Sequence, residues 1–428
     1  MTADPETQAA PFIGARNGGR DLDHHAPEYR EHWPEIFDQI RKSKCPVAHS
    51  SHYGGFFIVN RYEDVAEIAR DDDTYSSEND LGQGPRQGIT IPGTPIHSGP
   101  IETDPPRLGE LRKVMMKPLS PSAAKTWEPW LRDLTNHFID SFIEAGEGDL
   151  VLGIGNPVPA IFTMQFLGLP LDDWEMYAMP MHQVVYASPG SKELEQAYIG
   201  IFGFLERLKV ALEDRRAHPT DDFMSKIVTA RIDGEPLSEQ DALEMAFLVV
   251  AGGVDTTTGL LASSLDWLEL HPEERTRLAA SPELIPKATE EFLRYVTPVQ
   301  GNGRTVTREC EFRGQKFSDG DRVLLSWAAA NRDPDVFDDP HTVNFERHPN
   351  RHQAFGIGMH RCAGSNIARV IFGVMLSEVL RRIPDYVIDR DRAEPYGDIA
   401  TVNGWKSQPV TFTPGPVEDA PFDKEFRP

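Results

Sequence analysis

The stretch from Ser238 to Leu270 constrains the fold of this chain more than any other, because it reads as one long apolar helix. Ser238 followed by Asp241 is an N-cap signal and His271-Pro272 is a stop. At roughly 1.5 Å per residue such a helix extends about 48 Å, enough to cross the whole molecule. Its middle, Leu248-Val249-Val250-Ala251-Gly252-Gly253-Val254-Asp255-Thr256-Thr257-Thr258, is a poor helix sequence. Each glycine weakens a helix by about 1 kcal/mol relative to alanine, and the Thr256 hydroxyl can turn back to the Gly252 carbonyl. That diversion leaves room in a groove for a small molecule or water. Asp255 and Thr256 then read as a catalytic acid and alcohol able to deliver protons. The same residues also fit a glycine-mediated helix crossing with polar side chains facing solvent.

A second constraint is the run Phe355-Gly356-Ile357-Gly358-Met359-His360-Arg361-Cys362-Ala363-Gly364, which offers one cysteine on a glycine-hinged loop opening into a helix. A thiolate binds metal, and a helix N-terminus is expected to lower the thiol pKa through converging N–H groups and the helix dipole. Gly358 and Gly364 are expected to let the backbone turn and approach a flat macrocycle closely. The alternative is a buried cysteine acting as a small hydrophobe.

Composition narrows the class. The chain has 428 residues, ordinary apolar content and three cysteines (Cys45, Cys310 and Cys362), too few to staple a chain of this length. A reducing, cytoplasmic setting is expected, since Met1 to Gln8 lacks the basic and apolar regions of a secretory signal. No run of about 18 consecutive apolar residues is present, so no membrane anchor is expected. A formal net charge of −24 argues against nucleic acid as a partner. Against that background, residues 351–369 carry Arg351, Arg361 and Arg369 and no acid. This local reversal is either a patch that steers an acidic electron donor or a few solvated arginines.

Residues 1–30 lack periodicity and read as an extended arm, followed by one domain over 31–428. From Leu81 to Pro106 the chain is crowded with glycine and proline yet carries Ile89, Ile91, Ile96 and Ile101. A lid over an apolar cavity and a structural loop packed on the core both fit. Helical spacing covers Leu108 to Pro118, Pro121 to Ala145, Pro157 to Leu167, Leu194 to His218 and Asp221 to Ile232, with another helix from Ile285. Strands are expected at Gly55 to Val59, Arg304 to Phe312 and Arg322 to Ser326. The fold class is mainly α with a minor β region.

The cysteine run matches Phe-Gly-x-Gly-x-His-x-Cys-x-Gly at all six defined positions, and in this the chain resembles the cytochrome P450 family. The likeness extends from about Tyr53 to Phe412, and the Gly252 to Thr256 stretch is similar to that family's oxygen-binding helix. It implies the P450 triangular-prism fold, haem b (iron protoporphyrin IX) as cofactor and Cys362 as axial ligand of the haem iron, with Phe355 and Gly356 flanking it. It implies Arg112, Arg304 and His360 as partners of the haem propionates, although Leu108 stands where many members carry a further histidine. Glu291 and Arg294, with Arg347 in Asn344-Phe345-Glu346-Arg347, correspond to a structural ion network. Leu248, Ala251, Val299, Thr401 and Val402 would line the substrate pocket. The implied activity is a haem-thiolate monooxygenase using O2 on a compact hydrophobic molecule (terpenoid, alkyl-aromatic or steroid-like), with electrons from a separate ferredoxin-type donor and its reductase. A peroxide-using enzyme or a haem-binding sensor are the rival classes.

Overall fold

The computed structural model describes residues 20–43 and 47–426. Cys45 and residues 1–19 of the expected arm lie outside the described residues. The remainder of that arm is shorter than expected. Leu22 and His24 are buried, the Ser50 hydroxyl donates to the Leu22 carbonyl at 2.7 Å, and a helix begins at Pro27. Proline in the first turn starts this helix readily, and Tyr29, Trp33, Ile36, Phe37 and Ile40 give it one buried face.

The long helix is there, capped as expected, but it is two helices. The Ser238 Oγ accepts from the Asp241 N–H at 3.0 Å, and helices Glu239–Gly253 and Asp255–Leu270 meet at Val254 (φ −93°, ψ −70°). The Gly252-Gly253 pair concentrates the weakness there, and a helix end follows where local propensity is lowest. By length and composition the span Glu239–Leu270 could cross a bilayer, yet 67% of its most apolar window is buried inside the protein. The cysteine helix Ser365–Arg382 packs against Glu128–Asp140, Asp255–Leu270 and Ile285–Val296, so the central helix and the cysteine loop share one helical core.

Beside that core lies a five-stranded sheet ordered Val47–Ser50, Phe56–Val59, Arg322–Ser326, Gly301–Val306 and Tyr75–Ser76. Phe56–Val59 and Arg322–Ser326 pair in parallel with Phe57 opposite Val323, and both are buried throughout, as uninterrupted apolar strands require. The strand expected over Arg304 to Phe312 is two: Gly301–Val306 joins this sheet, while Cys310–Phe312 pairs with Gln315–Phe317. Likewise the helix expected over Pro121 to Ala145 divides into Pro121–Thr126 and Glu128–Asp140, because Pro129 opens a new first turn. Helix Phe223–Thr229 is shorter than its pattern, since Arg231–Ile232 turns into a hairpin with Glu235–Pro236. Helix Trp174–Tyr186 was not legible, having Pro180 in its interior.

The Leu81 to Pro106 loop is built around one carboxylate. Glu102, 1% exposed, accepts from the backbone N–H of Ile89 at 3.0 Å and of Ser98 at 2.9 Å. From the sheet, Arg322 donates to the carbonyls of Gly88 at 2.9 Å and Thr90 at 2.7 Å. Ile91 and Ile96 are buried and Ile89 and Ile101 half-buried, so the isoleucines point inward.

Candidate active site

Cys362 stands between a tight turn and the cysteine helix. Its N–H donates to the Phe355 carbonyl at 2.8 Å, closing the loop, and Arg369 lies over the Phe355 ring at 4.6 Å. Gly356 (φ +63°) and Gly358 (φ +74°) occupy left-handed backbone, and a Cβ on Gly358 would come within 2.4 Å of the Ala69 carbonyl oxygen. Gly358 thus makes the turn expected of it, and its missing Cβ also lets that turn press on the Ala69 backbone. At Gly364 (φ −80°) an added Cβ would meet no protein atom nearer than 3.7 Å, so the backbone turn itself does not require glycine there.

The Cys362 side chain is exposed, yet enough protein crowds its sulfur for desolvation to push the thiol up. A group on the wall of a recess has both properties. Accessible surface tells what can reach the sulfur, and crowding tells which charge state it favours. The Gly364 backbone and Arg112, Arg361 and Arg369 all favour the thiolate, as the helix-terminus argument requires, but burial outweighs them. The expected net lowering of this thiol is therefore corrected; a bound cation would have to supply the rest.

Three basic side chains implied as propionate partners converge beside it. Arg112 donates to the Arg361 carbonyl at 2.7 Å and is held below the usual arginine range by desolvation. Arg304, 3% exposed, donates to its neighbour Gly303's carbonyl at 2.8 Å while its Nε has no partner; burial pushes it down to about 10. His360 is pushed down to about 3 by burial and by the charges of Arg304 and Arg112. Its ring nitrogens approach the Ile101 backbone and Asp72, the latter at 3.6 Å, without a well-formed hydrogen bond to either. Asp72 and Asp104 offset part of the Arg304 charge, but its buried Nε–H and the buried His360 ring lack hydrogen-bond partners, which is costly in isolation and suits a ligand bearing carboxylates. Leu108, by contrast, is buried in helix Arg107–Met116 and offers no polar group.

The ion network is fully formed. Arg294, within helix Ile285–Val296, grips Glu291 through two N–H groups at 2.9 and 2.7 Å and spends its other donors on the carbonyls of Asn331, Pro340 and Thr342. Arg347 Nε lies 3.2 Å from both Glu291 oxygens, and Asn350 and the Asn344 N–H also donate to that carboxylate. The segment leading to the cysteine loop is thereby tied to the core. Of the three arginines in residues 351–369, Arg369 is committed to Glu290 rather than left for a partner protein.

On the central helix, Leu248, Ala251 and Thr256 are half-buried and Gly252 is exposed, with nothing within 4 Å of an added Cβ. These positions follow the i, i+3, i+4, i+8 spacing of one helix face, and at Gly252 that face borders open space. The Thr256 hydroxyl donates to the Gly252 carbonyl at 3.1 Å, the diversion its spacing anticipated. Val299 and Val402 form a β-bridge, which sets these two pocket candidates side by side, with half-buried Thr401 adjacent.

Asp255 points elsewhere. It is 1% exposed, and its Oδ1 takes hydrogen bonds from His182 Nδ1 at 2.5 Å and the Tyr396 hydroxyl at 2.8 Å. Sequence reasoning missed both partners. A histidine inside the apolar run Met181-His182-Gln183-Val184 was a usable signal; Tyr396 offered none.

Comparison with known proteins points to one family. A family model described as cytochrome P450 matches residues 174–384. Cytochrome P450 130 of Mycobacterium tuberculosis is 32% identical over 374 residues, covering 85% of this chain and 91% of that protein. A steroid C26-monooxygenase of the same organism is 31% identical over 366 residues, 85% of this chain and 96% of that one. Among solved structures, a mutant of P450 EryK in complex with erythromycin B superposes with a TM-score of 0.81 at 29% identity, over 91% of this chain and 98% of the other.

Proposed function

This chain belongs to the cytochrome P450 family and is a monooxygenase of that family, and on that premise we propose that it inserts one atom of O2 into a compact hydrophobic small molecule while holding haem b through Cys362. The observation that carries the reading is the convergence of Arg112, Arg304 and His360, the last two with ring or guanidinium nitrogens that lack hydrogen-bond partners, on the side of Cys362. A porphyrin bearing two carboxylates and a thiolate-binding metal would fit that donor set. When bound, the haem supplies O2 activation and the oxidation itself.

The protein's residues then have separate tasks. Cys362 Sγ would ligate the iron as thiolate, with Arg112, Arg361 and Arg369 favouring that charge state. Phe355 and Gly356 hold the loop that presents it, while Glu291, Arg294 and Arg347 fasten the segment leading there. Thr256, on the open face of the central helix, would hold a proton at Oγ1, and Asp255 would resupply it from the buried side. Leu248, Ala251, Val299, Thr401 and Val402, with the isoleucines of the Leu81 to Pro106 loop, would exclude water and orient the substrate. This lining is apolar with few polar groups, which supports a terpenoid, alkyl-aromatic or steroid-like substrate; one relative is named for a steroid. Electrons would come from a ferredoxin-type donor and its reductase. Exposed Arg361 next to Cys362, with exposed Lys113 and Lys117 on and just after the helix whose Arg112 reaches the Arg361 carbonyl, favours an acidic partner at that face of a chain of net charge −24.

The test is a spectral titration of the purified ferric protein with a panel of apolar compounds, followed by product analysis with reductant and O2. Tight binders should be oxidised with one labelled oxygen incorporated. A protein that binds no haem, or that binds these compounds and never turns them over, would overturn the proposal.

A further inference from the structure

We infer that His25 is a positioning residue for substrate: as an imidazolium it ties the Leu81 to Pro106 loop to the turn that leads into Thr401 and Val402, and its proton thereby governs how firmly the pocket is closed. This rests on the reading that the loop and those two residues border the substrate pocket. His25 Nδ1 lies 2.7 Å from Asp398 Oδ2, and its Nε2 lies 2.7 Å from the Ile91 carbonyl oxygen. A carboxylate and a carbonyl only accept, so both ring nitrogens must donate, and a neutral imidazole has one N–H to give. The bridge is complete only when the ring is charged. Asp398, 3% exposed, turns its other oxygen to the Ala400 N–H at 3.0 Å, which fixes the turn immediately before Thr401. Ile91, Ile399 and Val402 share one apolar cluster with Leu22 and Tyr29 of the N-terminal segment, so the ring joins segments that are packed together.

The groups around the ring favour its charge. Burial opposes it, but Asp398, the Ile91 carbonyl and Asp23 outweigh burial and raise His25 above the ordinary histidine value. Tyr53 meets the ring edge-on at 5.0 Å and donates its hydroxyl to Asp23 at 2.8 Å; burial, Asp23 and Asp398 raise that phenol, so it stays a donor. Tyr29, on helix Pro27–Lys42, is raised by burial and by Asp398. His52 lies 3.8 Å from Asp21 and 3.7 Å from Asp23. His24, its ring 4.3 Å from that of His25, also reaches the Ile91 carbonyl from Nε2, at 3.0 Å, but it needs no second proton. Its Nδ1 has no partner, and burial and the His25 charge push it well below the ordinary value. One histidine of the pair is therefore the fixed contact and the other the titrating one. A histidine raised as His25 is contributes fully below its unfolded value, about 6.5, and the contribution is lost as pH climbs through the higher folded value.

Hydrogen exchange read by mass spectrometry on the intact holoenzyme, with rates corrected for the intrinsic effect of pH, follows the bridge directly. Residues 396–404 are the reporter, since the His97–Glu244 pair ties the loop to helix Glu239–Gly253 instead. Protection there should fall about tenfold as His25 deprotonates, the cost of one hydrogen bond to a charged group. Asp398→Asn keeps an acceptor for Nδ1 and removes the charge, so the midpoint of that fall should move to lower pH. His25→Gln should be the less protected at neutral pH and show no step. The pocket itself is read with metyrapone, a neutral pyridine ligand of haem iron, whose spectral dissociation constant should rise across the same midpoint and shift with it in Asp398→Asn. Protection without a pH step, a midpoint that Asp398→Asn leaves in place, or a step to which metyrapone binding is indifferent would each overturn the inference. If His25→Gln does not fold, wild type and Asp398→Asn decide the matter alone. Absence of haem uptake would defeat the monooxygenase reading and this inference with it; haem uptake and turnover with pH-independent exchange would defeat this inference only.

Discussion

His97 Nδ1 lies 2.9 Å from Glu244 Oε2, which fastens the Leu81 to Pro106 loop to helix Glu239–Gly253. The hydrogen bond to Glu244 outweighs burial and raises His97 to about 9. A histidine raised in this way contributes fully below its unfolded value, about 6.5, and the contribution is lost as pH climbs through about 9. We therefore expect His97→Gln to expose residues 81–106 to limited proteolysis at neutral pH. The difference from wild type should vanish at alkaline pH; a difference independent of pH would contradict the assignment.

Glu291 receives charged or amide donors from Arg294, Arg347, Asn350 and the Asn344 backbone. Removing the carboxylate leaves Arg294, which is fully buried, without its counter-charge. Glu291→Ala should cost about 3–5 kcal/mol in urea unfolding, and haem uptake should fall with it. Glu291→Asp should recover only part of this.

Burial raises the Glu290 carboxyl, but Arg369 and His352 outweigh it and hold it at about 2. A carboxylate depressed in this way contributes stability above its unfolded value, about 4.3, and loses it as pH falls toward about 2. Since this pair joins helix Ile285–Val296 to the cysteine helix, Glu290→Gln should be less stable than wild type at neutral pH and converge with it on acidification. Tm as a function of pH measures this.

The adjacent glycines of the central helix should respond oppositely to alanine. At Gly253 an added Cβ would lie 2.7 Å from Thr163 Oγ1, whose rotamer is held by a hydrogen bond to the Pro159 carbonyl. Overpacking there should cost about 1–3 kcal/mol. At Gly252 no atom lies within 4 Å, so Gly252→Ala should gain up to about 1 kcal/mol of helix stability while placing a methyl on the open face. Chemical denaturation of the two variants, with substrate titration of Gly252→Ala, checks both.

Cys362 has exposed surface and contributes a backbone hydrogen bond that survives side-chain truncation. Cys362→Ala should keep its far-ultraviolet circular dichroism and its apo-state stability within about 0.5 kcal/mol of wild type. It should lose the thiolate signature of the ferrous–CO complex entirely.

How much of this was legible follows from the distance along the chain over which each feature is written. The cysteine loop, the Glu291–Arg294 pair, the Thr256 back-bond and the Ser238 cap are each encoded within a few residues, and local chemistry sufficed. The helix break at Val254 was foreshadowed by Gly252-Gly253, but its position depends on packing. The net rise of the Cys362 thiol was hidden because crowding is a property of the assembled core, whereas the helix terminus is visible in sequence. His182 and Tyr396 meet Asp255 from 73 and 141 residues away, and no periodicity reports such a meeting. The expected arm is too long because a proline marks a break and a helix start with the same residue type, and at Pro27 it is the start.

The Glu102 and Arg322 contacts that organise the Leu81 to Pro106 loop run through backbone N–H and carbonyl groups, which every replacement except proline retains at Ile89 and every replacement retains at Thr90. Which side chains this loop presents and how its backbone is held are consequently governed by different residues. Half-buried Ile89 and Ile101 can therefore be exchanged while the backbone frame stays constant, whereas Ile96 belongs to the helical core and is not free to vary, so the same loop holds both tolerant and intolerant isoleucines.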